Sequence, residues 1–405
     1  MTLALPASLP SPTSRLPTVG TTVFSVMSAL AAECGAVNLG QGYPDFDGDP
    51  ALMTAVKAAL DAGHNQYPPM AGLPALREAI AAKIEALYGT RYDAGSEVTV
   101  TAGATQAILT TVLALVHPGD EVIVLEPCYD SYEPSITLSG ARCVHVPLTP
   151  GTFRPDFERL AAAITPRTRA LIVNTPHNPS GTVWTEAEMR QLAELLRPTA
   201  IVLIADEVYE HMVFEDEAGQ PGVHPSVARH PELAARSVLI SSFGKTYHVT
   251  GWKVAYAAAP AALTAEIRKV HQFNVFTVNT PMQHALAAYM TDAAPYLGLA
   301  AFYQRKRDRF RAGLAGTGLR LLPCQGTYFQ TVDYSGLAPA IAALPEAAFC
   351  TWLTRQVGVA AIPLSAFYRD GVNQQLARLC FAKRDETLDL ALARLQAGLQ
   401  PGPQA

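Results

Sequence analysis

The sequence is poor in charged residues, which make up 16% of its 405 positions, while 49% of the residues are hydrophobic. Globular proteins typically carry about 25% charged residues, so this chain exposes little surface for its length and buries a large core. Disorder is excluded, because it requires high charge and few large apolar residues. The 28 glycines and 31 prolines follow no period, which excludes a collagen-like chain.

An excess of positive charge is also missing. The chain has 30 basic and 35 acidic residues, which gives a formal net charge of −5. A nucleic-acid partner requires a basic face, so no such partner is expected. The densest basic run, residues 305–311, is interrupted by Asp308 and is typical of the solvent-exposed side of a helix.

Cysteine is scarce, and metal-binding motifs are absent. The six cysteines are scattered and no two of them form a Cys-x-x-Cys pair. This pattern indicates reduced thiols and neither a disulfide framework nor a zinc site. None of the ten histidines belongs to a His-Glu-x-x-His motif or a comparable group, so no metal is predicted.

A signal peptide and a membrane span are missing as well. The first 17 residues are rich in Pro and Ser, without a basic start followed by an apolar stretch. No later run approaches the ~20 apolar residues that a spanning helix needs. We therefore expect a cytoplasmic protein with no membrane partner.

What the sequence does contain is an alternation of short apolar runs and helical stretches. Several runs are apolar at every position, which is typical of strands in a sheet covered on both faces. The alternation predicts βαβ units and an α/β fold with a mostly parallel seven-stranded sheet between helices. The predicted strands are 98–101, 122–125, 143–146, 170–173, 201–205, 238–241 and 254–258, with helices at 105–116, 154–163 and 186–195.

The pattern changes after about residue 285 and predicts a second, smaller α/β domain. We expect an N-terminal segment (1–45) packed on that small domain, a large domain over residues 46–285 and the small domain over residues 286–405. The elements predicted in the small domain are helices at 294–315, 346–356 and 386–396 and strands at 326–332 and 378–382.

Ligands of parallel α/β sheets bind beyond the carboxyl ends of the strands, and the first such end here is a glycine turn. After strand 98–101, Gly103 permits a tight turn, and the N–H groups of Ala104 and Thr105 begin a helix. Free amides, the helix dipole and a threonine hydroxyl together suit a phosphate. Taken alone this signal is weak, because most strand–glycine–helix turns bind nothing.

Two further strand ends carry polar groups. After strand 201–205, Asp206 needs a cation such as a protonated ring nitrogen, because burial of an unpaired carboxylate is costly. Tyr209 could donate a phenolic hydrogen bond on the same side, and the proline-rich turn 174–181 holds Asn178 in one place. The alternatives are that Asp206 caps the next helix and that the second segment is a plain turn.

The fourth strand end leads to a lysine. Lys245 lies shortly after strand 238–241, where desolvation and nearby positive charge lower its pKa and leave a neutral amine that reacts with an aldehyde. A single lysine is usually a surface residue. Together, however, the four sites match the phosphate, ring nitrogen, ring oxygen and aldehyde of pyridoxal phosphate. Neither a G-x-G-x-x-G after a strand nor a P-loop is present, so nucleotide cofactors are not predicted.

With these residues the sequence resembles the class I, fold-type I pyridoxal-phosphate-dependent aminotransferases, in order from Asn38 to the last helix. Within the class it resembles the kynurenine aminotransferase-like branch, and most of all the bacterial methionine aminotransferases. The resemblance implies a large domain that binds the cofactor and a homodimer. The motifs that carry it are NLGQGYPDF (38–46), NQYPPMAGLPALREAI (65–80), TAGATQAIL (101–109), NTPHNPSG (174–181), ADEVYEHMVF (205–214), SSFGKTYHVTGWKVAY (241–256), FTVNTPMQHALA (276–287), GTYF (326–329), AIPLSAFY (361–368) and RLCFAK (378–383).

The resemblance also implies roles for individual residues. Lys245 binds the cofactor aldehyde and later moves the substrate proton, Asp206 pairs with the ring nitrogen, and Tyr209 and Asn178 bind the ring hydroxyl. Lysine at position 253, where many class I enzymes have arginine, marks the branch. The implied cofactor-binding residues are Gly103, Ala104, Thr105, Tyr129 (stacked on the ring), Asn178, Asp206, Tyr209, Ser242, Lys245, Lys253 and Tyr67, which reaches the phosphate of the neighbouring subunit.

Arg378 is the predicted anchor of the substrate. An amino acid presents an α-carboxylate, which arginine binds with two parallel hydrogen bonds. As an alternative, Arg378 is an ordinary strand-edge charge, although an unpaired cation is costly in a mostly apolar strand. In the family the N-terminal loop closes over the same carboxylate at the position of Gly40, and Asn178 also contacts it.

The side-chain preference is predicted from residues 276–281. Dicarboxylate-specific relatives take a second arginine near this segment of the partner subunit, and no cation is present in it here. Methionine, phenylalanine, tyrosine or kynurenine is therefore the expected donor in a ping-pong exchange with a 2-oxo acid, with Phe24, Tyr43 and Phe276 as candidate pocket residues. Two alternatives stay open, namely a cysteine-S-conjugate or cystathionine β-lyase of the same fold and a non-catalytic ligand-sensing module.

Overall fold

A computed structural model describes residues 13–216 and 218–399 of the chain, and the remaining residues of the predicted N-terminal segment and small domain lie outside the described part. Thirteen strands are present in this part. They are β1 (Val37–Asn38), β2 (Val98–Thr101), β3 (Glu121–Glu126), β4 (Arg142–Pro147), β5 (Thr168–Asn174), β6 (Val202–Asp206), β7 (Ser237–Ser242), β8 (Ala255–Ala258), β9 (Arg320–Leu321), β10 (Phe329–Asp333), β11 (Val359–Ala360), β12 (Ile362–Pro363) and β13 (Leu376–Cys380).

Helices separate most of the strands, and several begin with recognisable caps. In α7 the side chains of Thr185 and Glu188 form a capping box. The helices are α1 (Val23–Glu33), α2 (Pro50–Asp61), α3 (Pro74–Tyr88), α4 (Ala104–Leu115), α5 (Tyr132–Leu138), α6 (Phe157–Ala163), α7 (Glu186–Leu196), α8 (Pro231–Ala234), α9 (Phe243–Thr246), α10 (Ala261–Asn274), α11 (Thr280–Tyr289), α12 (Ala294–Leu297), α13 (Leu299–Gly313), α14 (Pro339–Ala342), α15 (Glu346–Trp352) and α16 (Asp385–Gly398).

The larger sheet has seven strands in the order β2-β8-β7-β6-β5-β3-β4. Strands β3 to β7 pair in parallel, while β8 runs antiparallel to both β7 and β2. This confirms the predicted α/β fold with a mostly parallel seven-stranded sheet. Because β2 therefore runs in the direction of β7, the carboxyl ends of β2, β5, β6 and β7 lie along one edge of the sheet, and the side chains that follow them come together there.

The smaller sheet has four antiparallel strands in the order β12-β13-β10-β9. The strands predicted at 326–332 and 378–382 correspond to β10 and β13, with their bounds shifted. In the N-terminal segment, β1 pairs in parallel with β11, and Val37 lies opposite Val359. The packing of the N-terminal segment on a separate small domain, like the domain boundaries, stays a prediction.

Two helix predictions after residue 285 need correction. The helix predicted at 294–315 is two helices, α12 and α13, which meet at Gly298. Glycine has little helix propensity, which favours the break at this position. The helix predicted at 346–356 ends as α15 at Trp352 and continues as one turn of π-helix over Leu353–Val357.

The basic run on α13 is not simply a solvent-exposed face, contrary to the prediction. Lys306 is buried, and its Nζ donates to the Lys383 carbonyl and to Asp385 at 2.8 and 2.7 Å. Arg307 and Arg311 each donate to a backbone carbonyl in the segment before β10. The run therefore connects α13 to its neighbours in the small sheet.

A buried polar cluster joins α3 to the ends of β6, β7 and β8. The carboxylate of Glu210 accepts hydrogen bonds from Lys83 at 2.6 Å and from Tyr256 at 2.9 Å, and also from Tyr88 and Ser241. Removing one partner of a buried ion pair is costly because it leaves an uncompensated charge. The cluster therefore ties together the segments that carry Tyr209, Ser242 and Lys253, which are predicted cofactor ligands.

Three features of the described residues bear on the class of protein. No helix in residues 13–216 and 218–399 is long and apolar enough to cross a membrane. No group of three or more His, Cys, Asp or Glu side chains in those residues could hold a metal ion. All six cysteines are free thiols, and all but Cys34 are buried.

Candidate active site

A cavity of about 330 Å³ lies at the carboxyl edge of the large sheet, between that edge, the β10 and β13 strands and the loop after β1. The predicted site residues meet in this cavity. Those that line it are Gly103, Ala104, Thr105, Tyr129, Asn178, Asp206, Tyr209, Ser242, Lys245, Lys253 and Arg378, together with Phe24 and Tyr43.

Asp206 is the last residue of β6, and its carboxylate faces the cavity. It accepts hydrogen bonds from the Tyr132 hydroxyl at 2.6 Å and from the Val208 N–H at 3.3 Å. Burial raises the pKa of Asp206 to about 6. The chain continues in a turn and not in a helix, so Asp206 is not the cap of a following helix. An anion held in this way suits a cationic ring nitrogen.

Lys245 lies on the single turn of α9, directly after β7. Burial lowers the pKa of its amine to about 8, and the positive charges of Arg378 and Lys253 act in the same direction. Nζ donates to the Tyr328 hydroxyl at 2.9 Å and to the Gly42 carbonyl at 3.1 Å. The lowered pKa makes the neutral amine more accessible near physiological pH, as nucleophilic or basic chemistry requires.

The amino end of α4 forms a site for an anion. Gly103 has a φ of +85°, and a Cβ at this position would lie 3.0 Å from both Cε and Nζ of Lys253, so glycine is what allows the lysine to approach. The first turn of α4 carries no acidic residue and no side-chain cap. Its free N–H groups, the Lys253 ammonium and the hydroxyls of Thr105 and Ser242 together suit a phosphate.

Arg378 lies on β13 at the opposite wall of the cavity and is 1% exposed. Its Nη1 donates to the Asn178 side-chain oxygen at 2.7 Å and its Nη2 to the Gly40 carbonyl at 2.9 Å, while Nε has no partner in the described chain. The guanidinium carbon lies 4.0 Å from the centre of the Phe329 ring. Because neutral oxygens alone do not balance a buried cation, the site suits an incoming carboxylate.

Asn178 and Tyr209 lie between these charged groups. The Asn178 N–H donates to the Asn174 side chain at 2.8 Å, and Asn174 donates to the Asp206 carbonyl at 2.8 Å, so the turn is tied to the end of β6. The Tyr209 ring is buried and meets the Tyr328 ring edge-on at 5.2 Å. Both predicted ring-oxygen ligands are thus held in place by their neighbours.

Three predicted residues do not line the cavity. Gly40 lies just outside it, where its carbonyl holds Arg378. Tyr67 is 80% exposed, and its ring packs edge-on against that of Phe276 at 5.1 Å. Tyr67 also lines a second cavity, which is bordered by Leu60 and by residues 65–67 and 277–281.

Sequence reasoning missed several residues of the site. Asn174 is the last residue of β5, so the rule that singled out Asp206 applies to it equally. Tyr132 lies three residues after Tyr129, and no pattern in the sequence points to its contact with Asp206. Tyr328 lies within the quoted GTYF motif, but its contact with Lys245 depends on the tertiary structure.

The fold and the site define a pyridoxal-phosphate enzyme, and comparison with known families agrees. The sequence matches the family described as Aminotransferase class I and II over residues 35–395, so the chain belongs to this family. Members are pyridoxal-phosphate-dependent transaminases whose substrates are amino and 2-oxo acids, which confirms the predicted class of enzyme and cofactor.

Individual relatives are similar over nearly the whole chain. Methionine aminotransferase of Escherichia coli (strain K12) is 51% identical, covering 95% of this chain and 98% of the relative. The probable N-succinyldiaminopimelate aminotransferase DapC of Mycobacterium tuberculosis (H37Rv) is 44% identical, covering 94% and 97%. Human kynurenine–oxoglutarate transaminase 3 is 34% identical, covering 93% and 88%. The crystal structure of Escherichia coli YbdL, described as having a methionine aminotransferase function, has a TM-score of 0.91 and 51% identity, covering 95% and 99%.

The residues present fit the family's cofactor. A buried carboxylate, an anion site shaped by Gly103 and Lys253, and an amine of lowered pKa surround one cavity. The buried guanidinium of Arg378, with one nitrogen free of any partner in the described residues, is suited to a further carboxylate. The charged groups of the cavity therefore match charged groups of the ligands: Asp206 matches the ring nitrogen, Lys253 the phosphate and Arg378 the carboxylate of an amino acid.

Replacing Asp206 by asparagine tests the cost of the buried carboxylate. Because burial raises its pKa from the ordinary 3.8 to about 6, the stability that protonation provides is fully present below pH 3.8 and is lost as the pH rises through about 6. We expect cofactor-free Asp206→Asn to melt at a higher temperature than the cofactor-free native chain at pH 8, by a smaller margin at pH 5.

The loaded protein provides the control for this substitution. With pyridoxal phosphate bound at pH 8, the native chain should be the more stable of the two, because its carboxylate then faces a cation. Melting temperatures from circular dichroism measure both comparisons. If the cofactor-free variant and the cofactor-free native chain have the same melting temperature as each other at pH 8 as well as at pH 5, the assigned desolvation of Asp206 is wrong.

Proposed function

We propose that this aminotransferase takes the amino group from a neutral or aromatic L-amino acid of the methionine, phenylalanine, tyrosine or kynurenine type and passes it to a 2-oxo acid. The observation that carries the proposal is the buried guanidinium of Arg378, which has only neutral hydrogen-bond partners in the described chain and lies in the same cavity as Lys245. This guanidinium is therefore the proposed binding site for one carboxylate of the substrate.

The preference for a substrate with a neutral side chain rests on the number of cationic residues that line the cavity. Among the residues that line the cavity in the described chain, the cations are Lys245, Lys253 and Arg378, and each has a proposed role in binding cofactor or α-carboxylate. None is left for a second, distal carboxylate. The aromatic rings of Phe24, Tyr43 and Phe329 also line the cavity and suit an apolar or aromatic side chain.

The similarity to the methionine aminotransferase of Escherichia coli supports methionine as a donor, and that to human kynurenine–oxoglutarate transaminase 3 supports kynurenine. The probable N-succinyldiaminopimelate aminotransferase of Mycobacterium tuberculosis is named for a substrate with further carboxylates. The cavity offers no cation for these, so we do not extend that substrate to this chain.

The proposed cofactor contacts follow the geometry of the cavity. Lys245 binds the aldehyde and Asp206 faces the ring nitrogen. When bound, pyridoxal phosphate accepts the electron pair that remains after the substrate loses its α-proton. The other proposed contacts are Tyr209 and Asn178 for the ring oxygen, Tyr129 for the ring face, and Gly103, Ala104, Thr105, Ser242 and Lys253 for the phosphate.

The chain's own side chains orient the substrate and move its proton. Arg378 and Asn178 hold the α-carboxylate, and the family's loop over the carboxylate is represented by Gly40, whose carbonyl contacts Arg378. These contacts direct the α-hydrogen toward Lys245. Once the substrate amine has replaced Lys245 at the aldehyde, the freed neutral amine would take the proton at Nζ. The two halves of the ping-pong exchange use the same groups, because a 2-oxo acid presents the same carboxylate.

We further propose a homodimer in which Tyr67 reaches the phosphate site of the neighbouring subunit. Tyr67 and Phe276 form an exposed aromatic pair, and Phe273 nearby in sequence is 86% exposed. Exposed clusters of large apolar side chains typically mark contacts with another protein. The cytoplasmic location also stays a prediction.

The first test is the removal of the proposed covalent ligand. We expect Lys245→Ala to lower the rate of amino transfer by roughly 100- to 10,000-fold. The variant should also lack the yellow colour of bound pyridoxal phosphate. Lys269→Ala is the matched control, because Lys269 is exposed and pairs with Glu266. Activity and absorbance of Lys245→Ala equal to those of the control would refute the proposal.

The native protein should use methionine, phenylalanine, tyrosine or kynurenine faster than glutamate when these donors are tested against several 2-oxo acids. Glutamate as the fastest donor would contradict the substrate class. Cystathionine is included in the panel, and release of pyruvate from it faster than amino transfer would favour the β-lyase.

The second test concerns the carboxylate anchor. Arg378→Ala should raise the KM for methionine by roughly 100-fold, because two charge-assisted hydrogen bonds are lost, while the cofactor absorbance is retained. Its matched comparison is an amine with the methionine side chain but no carboxylate, for which native and variant proteins should differ little. Loss of cofactor from Arg378→Ala would assign the residue to cofactor binding instead.

The third test concerns the proposed dimer. Tyr67→Ala and Lys245→Ala proteins should each be weakly active or inactive alone. In a mixed dimer, the Lys245 of one subunit would meet the Tyr67 of the other, so one intact site should form and activity should return to as much as half that of the native dimer. No gain on mixing, or a monomer by light scattering, would show that Tyr67 does not act across subunits.

A further inference from the structure

A second buried phenol lies next to the proposed catalytic lysine. Tyr328 directly precedes β10 and is fully buried. Its hydroxyl donates to the Gly42 carbonyl at 2.6 Å and accepts from Lys245 Nζ at 2.9 Å, and Nζ also donates to the Gly42 carbonyl at 3.1 Å. Three segments that are far apart in sequence therefore meet at one triangle of hydrogen bonds.

The donors and acceptors in this triangle can be assigned. The only hydroxyl hydrogen of Tyr328 is used on Gly42, so its oxygen can act toward Lys245 only as an acceptor. The Gly42 carbonyl is an acceptor as well. A neutral amine has two N–H groups and one lone pair, so these two acceptors take both N–H groups and leave the lone pair free to receive a proton.

Packing fixes both acceptors. The Tyr328 ring contacts the rings of Tyr209 at 5.2 Å and Tyr303 at 5.5 Å. A Cβ at Gly42 would lie 2.9 Å from the Phe329 ring, so this part of the loop rests directly on the ring. Two residues earlier, the Gly40 carbonyl binds Arg378. One short segment thus contacts both the carboxylate anchor and the lysine.

We propose that Tyr328 and the Gly42 carbonyl are a positioning pair, which holds the Lys245 amine while it is not bound to the cofactor and leaves its lone pair free for the substrate proton. This inference rests on the proposed function of Lys245. Tyr328 acts through Lys245 and is not itself a catalytic residue. Its role is to keep the base in one orientation during proton transfer.

The test compares Tyr328→Phe with Tyr303→Phe. The first substitution removes the hydroxyl that accepts from Lys245 and keeps the ring. The second removes a buried hydroxyl that has no partner in the described chain, on a ring packed against the same Tyr328. Circular dichroism melting curves of both variants report any general loss of stability.

The first readout is the pH dependence of the rate at which the cofactor-free full-length protein takes up pyridoxal phosphate. An acceptor stabilises an ammonium, so its loss should lower the midpoint of this rate by roughly 0.4–1 pH unit in Tyr328→Phe and not in Tyr303→Phe. The titratable groups that face Lys245 are Asp206, Tyr209, Lys253, Arg378 and Cys380, and both variants leave them unchanged.

The second readout is turnover with methionine. Tyr328→Phe should lower kcat roughly three- to tenfold with little change in KM, because the hold on the base is lost while Arg378 is untouched. Faster cofactor uptake near neutral pH together with slower turnover is a combination that a general structural defect does not produce. A midpoint and a kcat equal to those of Tyr303→Phe would overturn the inference, as would a parallel loss of uptake, turnover and stability.

If Tyr328→Phe does not fold, 3-fluorotyrosine at position 328 keeps the packing and makes the oxygen a poorer acceptor. It should shift the midpoint in the same direction by less, and an unchanged midpoint would overturn the inference. Failure of the proposed function is distinguishable, because the native protein would then take up no pyridoxal phosphate at all.

Discussion

Asp206, Lys245 and Arg378 lie around one cavity, and none of them forms a salt bridge with another residue of the described chain. Desolvation disfavours the charged form of each group, and it is the main cause of the displaced pKa values of Asp206 and Lys245. The attraction between Asp206 and Lys245, and that of Asp130 for Arg378, opposes it only in part. The desolvation of these groups lowers the stability of the fold, and the rest of the structure is stable enough to compensate for this loss. A cationic ring nitrogen, an aldehyde and a carboxylate are the groups that these three side chains lack.

The parallel sheet is what brings these groups together. Asp206 and Ser242 end adjacent parallel strands, and Lys245 follows one turn later, so their spacing is determined by the sheet and not by flexible loops. Beneath them, Glu210 receives hydrogen bonds from four side chains on three elements, α3, β7 and β8. This buried cluster fixes the segments that carry Tyr209, Ser242 and Lys253, and so the large sheet preorganises the proposed cofactor site.

Much of this could be predicted from the sequence, for physical reasons that also explain the failures. Strands of a sheet covered on both faces are apolar throughout, so those at 98–101 and 122–125 were predicted within a residue or so of β2 and β3. The break at Gly298 was missed, because the helical pattern continues on both sides of it. Contacts such as that between Lys245 and Gly42, 203 residues apart, have no local signature. They arise where the loop after β1 packs against the carboxyl edge of the large sheet, which periodicity does not encode.

The Gly40–Gly42 segment has a consequence for the handedness of the substrate. One end of the segment contacts Arg378, the proposed carboxylate anchor, and the other contacts the Lys245 amine. In the proposed function, the carboxylate, the amino group and the hydrogen on the α-carbon each meet a different fixed group. Once these three substituents are fixed, the side chain of the amino acid can point in only one direction. In the mirror-image amino acid the hydrogen and the side chain exchange places, so the hydrogen would point away from Lys245. Selection of one enantiomer is therefore independent of whatever pocket receives the side chain.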